Sequence, residues 1–160
     1  MADNTILIVD DEEIVHESII DALEDEEDYE IISAYNGEEG LKFMKEHNPI
    51  LVILDLRMPA MNGIEFLEKL EVKPDDPFSI IVLTGHGASE EMEQTYDLGI
   101  RSFLRKPFSI HELRSLVESC INLKSVERKL TSEVTQRKDA EEQMKEYRTQ
   151  LNKMMDSLKG

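Results

Sequence analysis

The chain of 160 residues, 40% of them hydrophobic, has room for one globular domain and an appendage. Its net charge of −17 comes from residues 1–122, where 28 acidic side chains outnumber 9 basic ones, which argues against direct nucleic-acid binding. A single cysteine, Cys120, rules out a disulfide framework. No apolar stretch reaches the roughly 18 residues of a membrane span and no signal-peptide pattern opens the chain, so we expect a cytoplasmic protein without membrane contacts.

Short apolar runs alternate with helical patterns along the first two thirds of the chain. An apolar run without polar alternation is typical of a strand buried on both faces of a parallel sheet. The predicted strands are Thr5–Val9, Tyr29–Ala34, Ile50–Leu54, Ser79–Leu83 and Ser102–Arg105. The predicted helices between them are Glu13–Leu23, Glu38–Glu46, Gly63 to about Leu70, and Ser89–Leu98. Five such βα units predict a doubly wound α/β sandwich with right-handed crossovers.

The chain changes in character after Phe108. No Gly or Pro occurs between Phe108 and Lys159, and Ser109 is placed to cap the next helix. Apolar residues then recur every seven positions, interrupted once by Arg137: Leu116, Leu123, Leu130, Met144, Leu151 and Leu158. A repeat of seven over this length predicts a coiled coil, which is weakest in the polar stretch 133–142.

We therefore divide the chain into a domain of residues 1–122 and a helical extension of residues 123–160. One helix is predicted from Ser109 to about Leu158. At about 1.5 Å per residue it would be roughly 75 Å long, too long to pack on its own domain. Its apolar seam would face water without a partner, so we expect residues 109–158 to pair in parallel with a second copy of the chain.

Four charged residues follow the predicted strands. Asp10 and Asp11 follow the first, Asp55 follows the third, and Lys106 follows the fifth and precedes Pro107. Ligand sites in open parallel sheets lie outside the carboxyl ends of the strands, so these side chains are expected to converge. Clustered carboxylates repel and favour a hard cation such as Mg²⁺, a combination suited to phosphate chemistry. The four histidines lack metal-ligand spacing, so no zinc site is expected: His16, His47, His86 and His111.

These residues stand in motifs that resemble the receiver domain of bacterial two-component response regulators. The matching segments are Val9-Asp10-Asp11, Leu54-Asp55-Leu56-Arg57-Met58-Pro59 with Gly63, Leu83-Thr84-Gly85, and Phe103 three residues before Lys106-Pro107-Phe108. The resemblance extends over residues 1 to about 122. It implies the flavodoxin-like strand order 2-1-3-4-5, followed here by a long C-terminal helix.

The same resemblance implies a role for each charged residue. Asp55 would be the phospho-acceptor, because a carboxylate can act as nucleophile and form an aspartyl-phosphate. Mg²⁺ would be held by Asp11, Asp55 and the backbone carbonyl of Arg57. Asp10 would join through water or share the metal shell, and Lys106 would place its charge on a phosphoryl oxygen.

Thr84 and Phe103 are implied to carry the signal. The Thr84 hydroxyl would reach another phosphoryl oxygen and move its strand end, and Phe103 would swing inward behind it. Three of the residues have a second interpretation. Thr84 is also an ordinary β-branched strand residue, Phe103 an ordinary core aromatic, and Asp10 a candidate cap for the first helix.

The resemblance implies a signalling switch that a cognate histidine kinase or phosphotransfer protein phosphorylates. It would not be an enzyme acting on other substrates, since Arg57 occupies the position of a general acid–base and no substrate cap is present. A pure dimerisation or docking module would be expected to lack Asp11, Asp55 or Lys106. The extension resembles linkers that join receivers to sensor, kinase or cyclase domains, so the alternative is a receiver fragment of a larger multidomain protein.

Overall fold

A computed structural model describes residues 4–26 and 28–160 of the chain. The strands are β1 (Thr5–Val9), β2 (Glu30–Ala34), β3 (Leu51–Asp55), β4 (Ser79–Thr84) and β5 (Ser102–Arg105). The helices are α1 (Glu13–Leu23), α2 (Gly37–His47), α3 (Gly63–Leu70), α4 (Ser89–Asp97) and α5 (Ile110–Lys159). The sheet has the order β2-β1-β3-β4-β5 and all its strand pairs are parallel, which confirms the predicted flavodoxin-like fold.

The strand side chains alternate between two apolar layers. In β1, Ile6 and Ile8 pack with α1 and the first part of α5, whereas Leu7 and Val9 pack with α2 and α3. All four are essentially inaccessible to solvent, which explains why the strands are continuous apolar runs. Burial of one such side chain stabilises the fold by about 1.5–3 kcal/mol, so the central strands form a rigid support for their carboxyl ends.

Helix α2 lies unusually close to the sheet at Gly40. A Cβ atom at this position would lie 2.8 Å from Cε2 of Phe66 and 3.1 Å from Cγ2 of Val9. Phe66 is completely buried. A glycine inside a helix lowers the stability of that helix by about 1 kcal/mol relative to alanine. At position 40 the ring of Phe66 occupies the space that an alanine side chain would need.

The two strands that carry predicted site residues each end one residue later than expected. Asp55 ends β3 opposite Leu83, and Thr84 ends β4 opposite Arg105. Both residues therefore belong to the sheet ladder and not to the loops that follow. Each is held in the ladder by a neighbouring strand, which the end of an apolar run does not indicate.

The chain divides into two compact units, one ending at Lys124 and the other formed by Ser125–Gly160. Residues 110–124 of α5 contribute Leu113, Val117 and Ile121 to the core of the first unit. The long C-terminal helix is confirmed, whereas the functional boundary predicted after residue 122 stays a prediction. Within residues 4–26 and 28–160, no helix has both the length and the apolar character needed to cross a membrane.

The second unit is a helix whose apolar side chains are uncovered. Every side chain from residue 129 onward is exposed. The large apolar ones are Leu130, Val134, Met144, Tyr147, Leu151, Met154, Met155 and Leu158. Within residues 129–160, nothing in the unit covers these side chains.

Candidate functional site

Three carboxylates meet at the carboxyl edge of the sheet. Asp10 and Asp11 directly follow β1, and Asp55 ends the adjacent strand β3. One oxygen from each of the three side chains can be chosen so that all lie within 4.8 Å of one another. Asp10 and Asp55 are buried and Asp11 is exposed. The predicted convergence of these acids is thus present in the structure, with one open side.

Asp10 is the most enclosed of the three acids. Its side chain is inaccessible to solvent, and both carboxylate oxygens are engaged. Oδ1 accepts a hydrogen bond of 2.9 Å from the backbone N–H of Glu12, and Oδ2 accepts one of 3.1 Å from Nζ of Lys106. Glu12 is the N-cap residue of α1, and among the described residues no side chain caps the helix. Asp10 therefore does not cap α1, and its bond to Glu12 instead closes the turn that leads into the helix.

Asp55 is held in an environment that disfavours its charge. Burial raises the pKa of Asp55 above its ordinary value, and the nearby carboxylate of Asp10 raises it further. The ammonium of Lys106, 3.3 Å from Oδ2, and the backbone N–H of Arg57, 3.2 Å from Oδ1, act in the opposite direction without cancelling the increase. A further positive charge near Asp55 would therefore stabilise its ionised form.

Lys106 joins two of the acids and is itself tied to the sheet. Burial lowers the pKa of Lys106, but the carboxylates of Asp55 and Asp10 outweigh this effect, so its pKa lies above the ordinary value. Its backbone N–H donates a hydrogen bond of 2.7 Å to the carbonyl oxygen of Thr84. The lysine thus stays charged at neutral pH and lies beside Thr84, which is also buried.

Gly63 allows the loop after β3 to close tightly. A Cβ at this position would lie 2.6 Å from the backbone oxygen of Asp55 and 2.7 Å from Cα of Leu56. Backbone atoms cannot move aside as a flexible side chain can. Gly63 also donates a backbone hydrogen bond of 2.9 Å to the carbonyl oxygen of Leu56. The site thus needs glycine because α3 begins in direct contact with the peptide of the central aspartate.

Two arginines hold the loop that follows β4. Nε of Arg57 lies 3.3 Å from a carboxylate oxygen of Glu91, and its Nη2 donates a hydrogen bond of 3.4 Å to the carbonyl oxygen of Gly87. On the other side, Nη2 of Arg105 lies 3.0 Å from Nδ1 of His86. These contacts were not predicted from the sequence, since they join residues up to 34 positions apart.

Phe103 does not enter the carboxylate cluster. Its ring is half-buried on β5, packs at the border of the core, and has its centroid 4.8 Å from that of Tyr96. The side chain therefore links β5 to α4 in this conformation. Its inward movement stays a prediction.

His16 is a site neighbour that sequence reasoning missed. It lies on α1 with 1% exposure, and its Nε2 is 2.7 Å from the backbone carbonyl oxygen of Asp10. The available signal was its position on the apolar face of α1, between Val15 and Ile19. A search for metal-ligand spacing does not detect such a histidine, because it contacts the backbone carbonyl of Asp10 and would not bind the metal itself.

The composition of the cluster fits a divalent cation. Three carboxylates lie against one ammonium, which leaves two excess negative charges. Among the residues that the structure describes, Lys106 is the one cation in an ion pair with these acids. Oxygen ligands and an uncompensated charge suit a hard ion such as Mg²⁺. Asp11 is the exposed carboxylate of the three, so its side of the cluster is where such an ion would enter.

Comparison with known proteins agrees with this geometry. Residues 6–118 match the family model of the response regulator receiver domain. The chain is 33% identical over 125 residues to sporulation initiation phosphotransferase F of Bacillus subtilis (strain 168), covering 78% of this chain and 99% of that protein. It is 37% identical over 120 residues to response regulator Rre1 of Synechocystis sp., covering 73% of this chain but only 51% of that protein.

A solved structure shows the same relationship. The crystal structure of a response regulator receiver domain protein from Clostridium thermocellum aligns with a TM-score of 0.68 and 29% sequence identity, covering 77% of this chain and 98% of that one. The matched family model spans the strands, the carboxylate cluster and the lysine. The chain therefore belongs to the response regulator receiver domain family.

Proposed function

We propose that this chain is a phosphorylation-controlled signalling switch that receives a phosphoryl group on Asp55. The observation that carries the proposal is the cluster of Asp10, Asp11 and Asp55, with donor oxygens within 4.8 Å and with Lys106 bridging two of them. The donor would be a cognate histidine kinase, a phosphotransfer protein or a small phosphorylated molecule.

The chemistry proposed for Asp55 is an in-line phosphoryl transfer. A carboxylate oxygen forms a bond to phosphorus while the bond between phosphorus and the donor atom breaks, and the donor atom keeps the electron pair. Such transfers depend mainly on positioning and on neutralisation of charge. The Lys106 ammonium, already 3.3 Å from Asp55, is placed to neutralise part of the charge on the incoming phosphoryl oxygens.

Mg²⁺ is the proposed cofactor. Asp11, Asp55 and the backbone carbonyl of Arg57 would hold it, with Asp10 acting through water or within the same shell. When bound, Mg²⁺ would supply positive charge to the phosphoryl oxygens. The excess negative charge of the cluster supports this assignment.

The relay would start at Thr84. Thr84 ends β4, its backbone carbonyl accepts a hydrogen bond from the N–H of Lys106, and its hydroxyl would form a hydrogen bond to a phosphoryl oxygen on Asp55. A displacement at this point would reach the following loop, which is held by Arg57 and Arg105. Phe103, packed on α4, would respond on the next strand.

The proposal includes no activity on other substrates. The chain would catalyse only its own phosphorylation and dephosphorylation. In support of this, the Arg57 side chain is engaged with Glu91 and Gly87 beside the acids, at the position where an acid–base group would be needed. The alternative is a receiver fragment of a larger sensor kinase or cyclase, or a docking module, and both would use the same fold. A cytoplasmic location agrees with the single thiol, Cys120.

Self-association through residues 109–158 completes the proposal. The apolar seam of the helical extension is more than half exposed at Leu130, Met144 and Leu151. Burial of each such side chain is worth about 1.5–3 kcal/mol, so pairing with a second copy is the simplest way to cover the seam. A parallel pair would also suit signal transmission along the helices.

The charged interruption of the seam is compatible with that pairing. In a parallel pair in register, Glu133 and Arg137 would each face the same residue of the second copy, because core positions of such a pair meet their own equivalents. Like charges would then meet in two layers of the seam. The interruption is therefore expected to lower the affinity without preventing the pairing.

Labelling with acetyl phosphate tests the phospho-acceptor role. The wild-type chain should gain one phosphoryl group by intact-protein mass spectrometry only when Mg²⁺ is added. Asp55→Asn should abolish the gain, whereas the matched control Asp75→Asn, which changes an exposed acid in the loop before β4, should label normally. Undiminished labelling of Asp55→Asn would remove Asp55 from this role.

A further inference from the structure

His16 has an environment that the proposed phosphoryl chemistry does not use. Its imidazole is 1% exposed, and its ring centroid lies 4.4 Å from that of Tyr35. Nε2 is 2.7 Å from the backbone carbonyl oxygen of Asp10, which is a short hydrogen bond. Nδ1 is buried and has no hydrogen-bond partner among the residues that the structure describes.

The partner of Nε2 determines which nitrogen carries the proton. A backbone carbonyl can only accept a hydrogen bond, so Nε2 must be the donor. In the neutral ring Nδ1 then presents a lone pair to a buried environment without a donor. An unpaired buried acceptor is unfavourable, and an apolar ring would avoid this cost. The bond donated by Nε2 is therefore the feature that distinguishes histidine from phenylalanine at this position.

That bond acts on the peptide group between Asp10 and Asp11. In a trans peptide the C=O and N–H point in opposite directions, so fixing the Asp10 carbonyl also fixes the plane from which Asp11 projects. The side chain of Asp10 is held independently by Glu12 and Lys106. Among the described residues, no hydrogen bond holds the side chain of Asp11. The direction of Asp11 therefore depends on the backbone that His16 holds.

We propose that His16 is a positioning residue that orients Asp11 toward the divalent cation. The inference rests on the proposed Mg²⁺ site and adds a residue to it. His16 itself would not contact the cation. It acts through its hydrogen bond to the Asp10 carbonyl. Because this bond already orients the backbone at Asp11, less conformational entropy is lost when the Asp11 carboxylate binds the ion.

Two substitutions separate the hydrogen bond from the packing. His16→Phe keeps an aromatic ring against Tyr35 and removes both ring nitrogens, including the unpaired one. His16→Gln keeps an N–H donor at a similar reach. Binding of MgCl₂ would be measured by calorimetry and, independently, by the increase in urea-unfolding free energy across a concentration series.

His16→Phe should weaken Mg²⁺ binding by about tenfold, the usual lower bound for loss of a group that orients a metal ligand. Without metal, the unfolding free energy of His16→Phe should be lower than that of the wild-type chain by no more than the contribution of one hydrogen bond. His16→Gln should bind Mg²⁺ within about twofold of wild type. Acetyl phosphate labelling of His16→Phe should be slow at low Mg²⁺ and recover at saturation, which general structural damage would not do.

Mg²⁺ affinity of His16→Phe within about twofold of wild type would overturn the proposal, as would equal weakening by His16→Gln. If His16→Phe does not fold, His16→Met replaces it in the comparison with His16→Gln, because methionine is apolar, similar in length and lacks the donor. A wild-type chain that binds no Mg²⁺ would instead contradict the proposed metal site.

Discussion

The ammonium of Lys106 lies 3.3 Å from a carboxylate oxygen of Asp55 and donates a hydrogen bond of 3.1 Å to a carboxylate oxygen of Asp10. One lysine thus compensates two buried acids from neighbouring strands. Together with Asp11, three carboxylates share this one ammonium, which leaves two excess negative charges. A bound cation would offset this excess and should therefore stabilise the folded receiver.

Removal of the lysine charge should destabilise the metal-free protein. Lys106→Met leaves the fully buried Asp10 with an unpaired carboxylate oxygen, and we expect a loss of about 1–3 kcal/mol in unfolding free energy. The measurement is urea denaturation in EDTA. Lys42→Met is the control, because Lys42 pairs only weakly with Glu46 on an exposed helix face. Equal stability of both variants would show that the Lys106 pairing contributes nothing.

Asp55→Asn should stabilise the metal-free chain at neutral pH. Because the pKa of Asp55 is raised in the folded state, its carboxyl group supports folding below its ordinary value of 3.8 and loses this contribution as pH rises through the folded value. Asparagine does not ionise, so the variant has no such loss of stability as the pH rises. The difference between variant and wild type should thus be largest near pH 7 and shrink as the pH falls toward 3.8. Denaturation curves at several pH values test this, and a difference that grows on acidification would contradict the sign.

The two adjacent aspartates should respond differently to alanine. Asp11→Ala should weaken Mg²⁺ binding more than Asp10→Ala, because Asp11 is exposed and free to coordinate whereas both Asp10 oxygens are engaged. Asp10→Ala should instead lower stability without metal, since Glu12 and Lys106 lose their acceptor. Mg²⁺ titration and denaturation of both variants give the comparison. The assignment is wrong if Asp10→Ala costs more metal affinity than Asp11→Ala.

The seam of α5 should control self-association. Leu123→Asp combined with Leu130→Asp places charges on two exposed seam positions of each copy and should raise the dimer dissociation constant roughly a hundredfold or more. Sedimentation velocity across a concentration series measures this. Ser132→Asp with Thr135→Asp adds the same charge to exposed positions outside the seam and should leave the dimer intact. A wild-type monomer at every concentration would end the proposal.

The sheet and the position of the site at its carboxyl edge could be predicted, because both follow from the local pattern of apolar and charged residues. The apolar run ending at Leu54 indicates a buried strand, and the position of Asp55 after it indicates the carboxyl edge. The extension of β3 to include Asp55 could not be predicted, since it depends on hydrogen bonding with β4 across the sheet. A strand end is set by its neighbours as much as by its own residues.

Contacts between distant side chains were beyond sequence reasoning. The ion pair of Arg57 with Glu91 and the contact of Arg105 with His86 depend on how the loops after three strands fold back. His16 was visible only as a histidine among apolar helix positions. Its contact with the Asp10 carbonyl involves a backbone atom, which every residue has, so no residue type marks the partner.

The acidic surface of the receiver has a consequence for the rate at which donors arrive. With a net charge of −17, the chain repels small phosphorylated donors, which are themselves anions, over the Debye length of about 8 Å at physiological ionic strength. A protein donor that presents basic side chains around its phosphorylated group would be steered toward the same edge. Added salt should therefore speed capture of a small anionic donor and slow capture of such a protein. The charge distribution would in this way favour dedicated partners over metabolites before any contact with Asp55 is made.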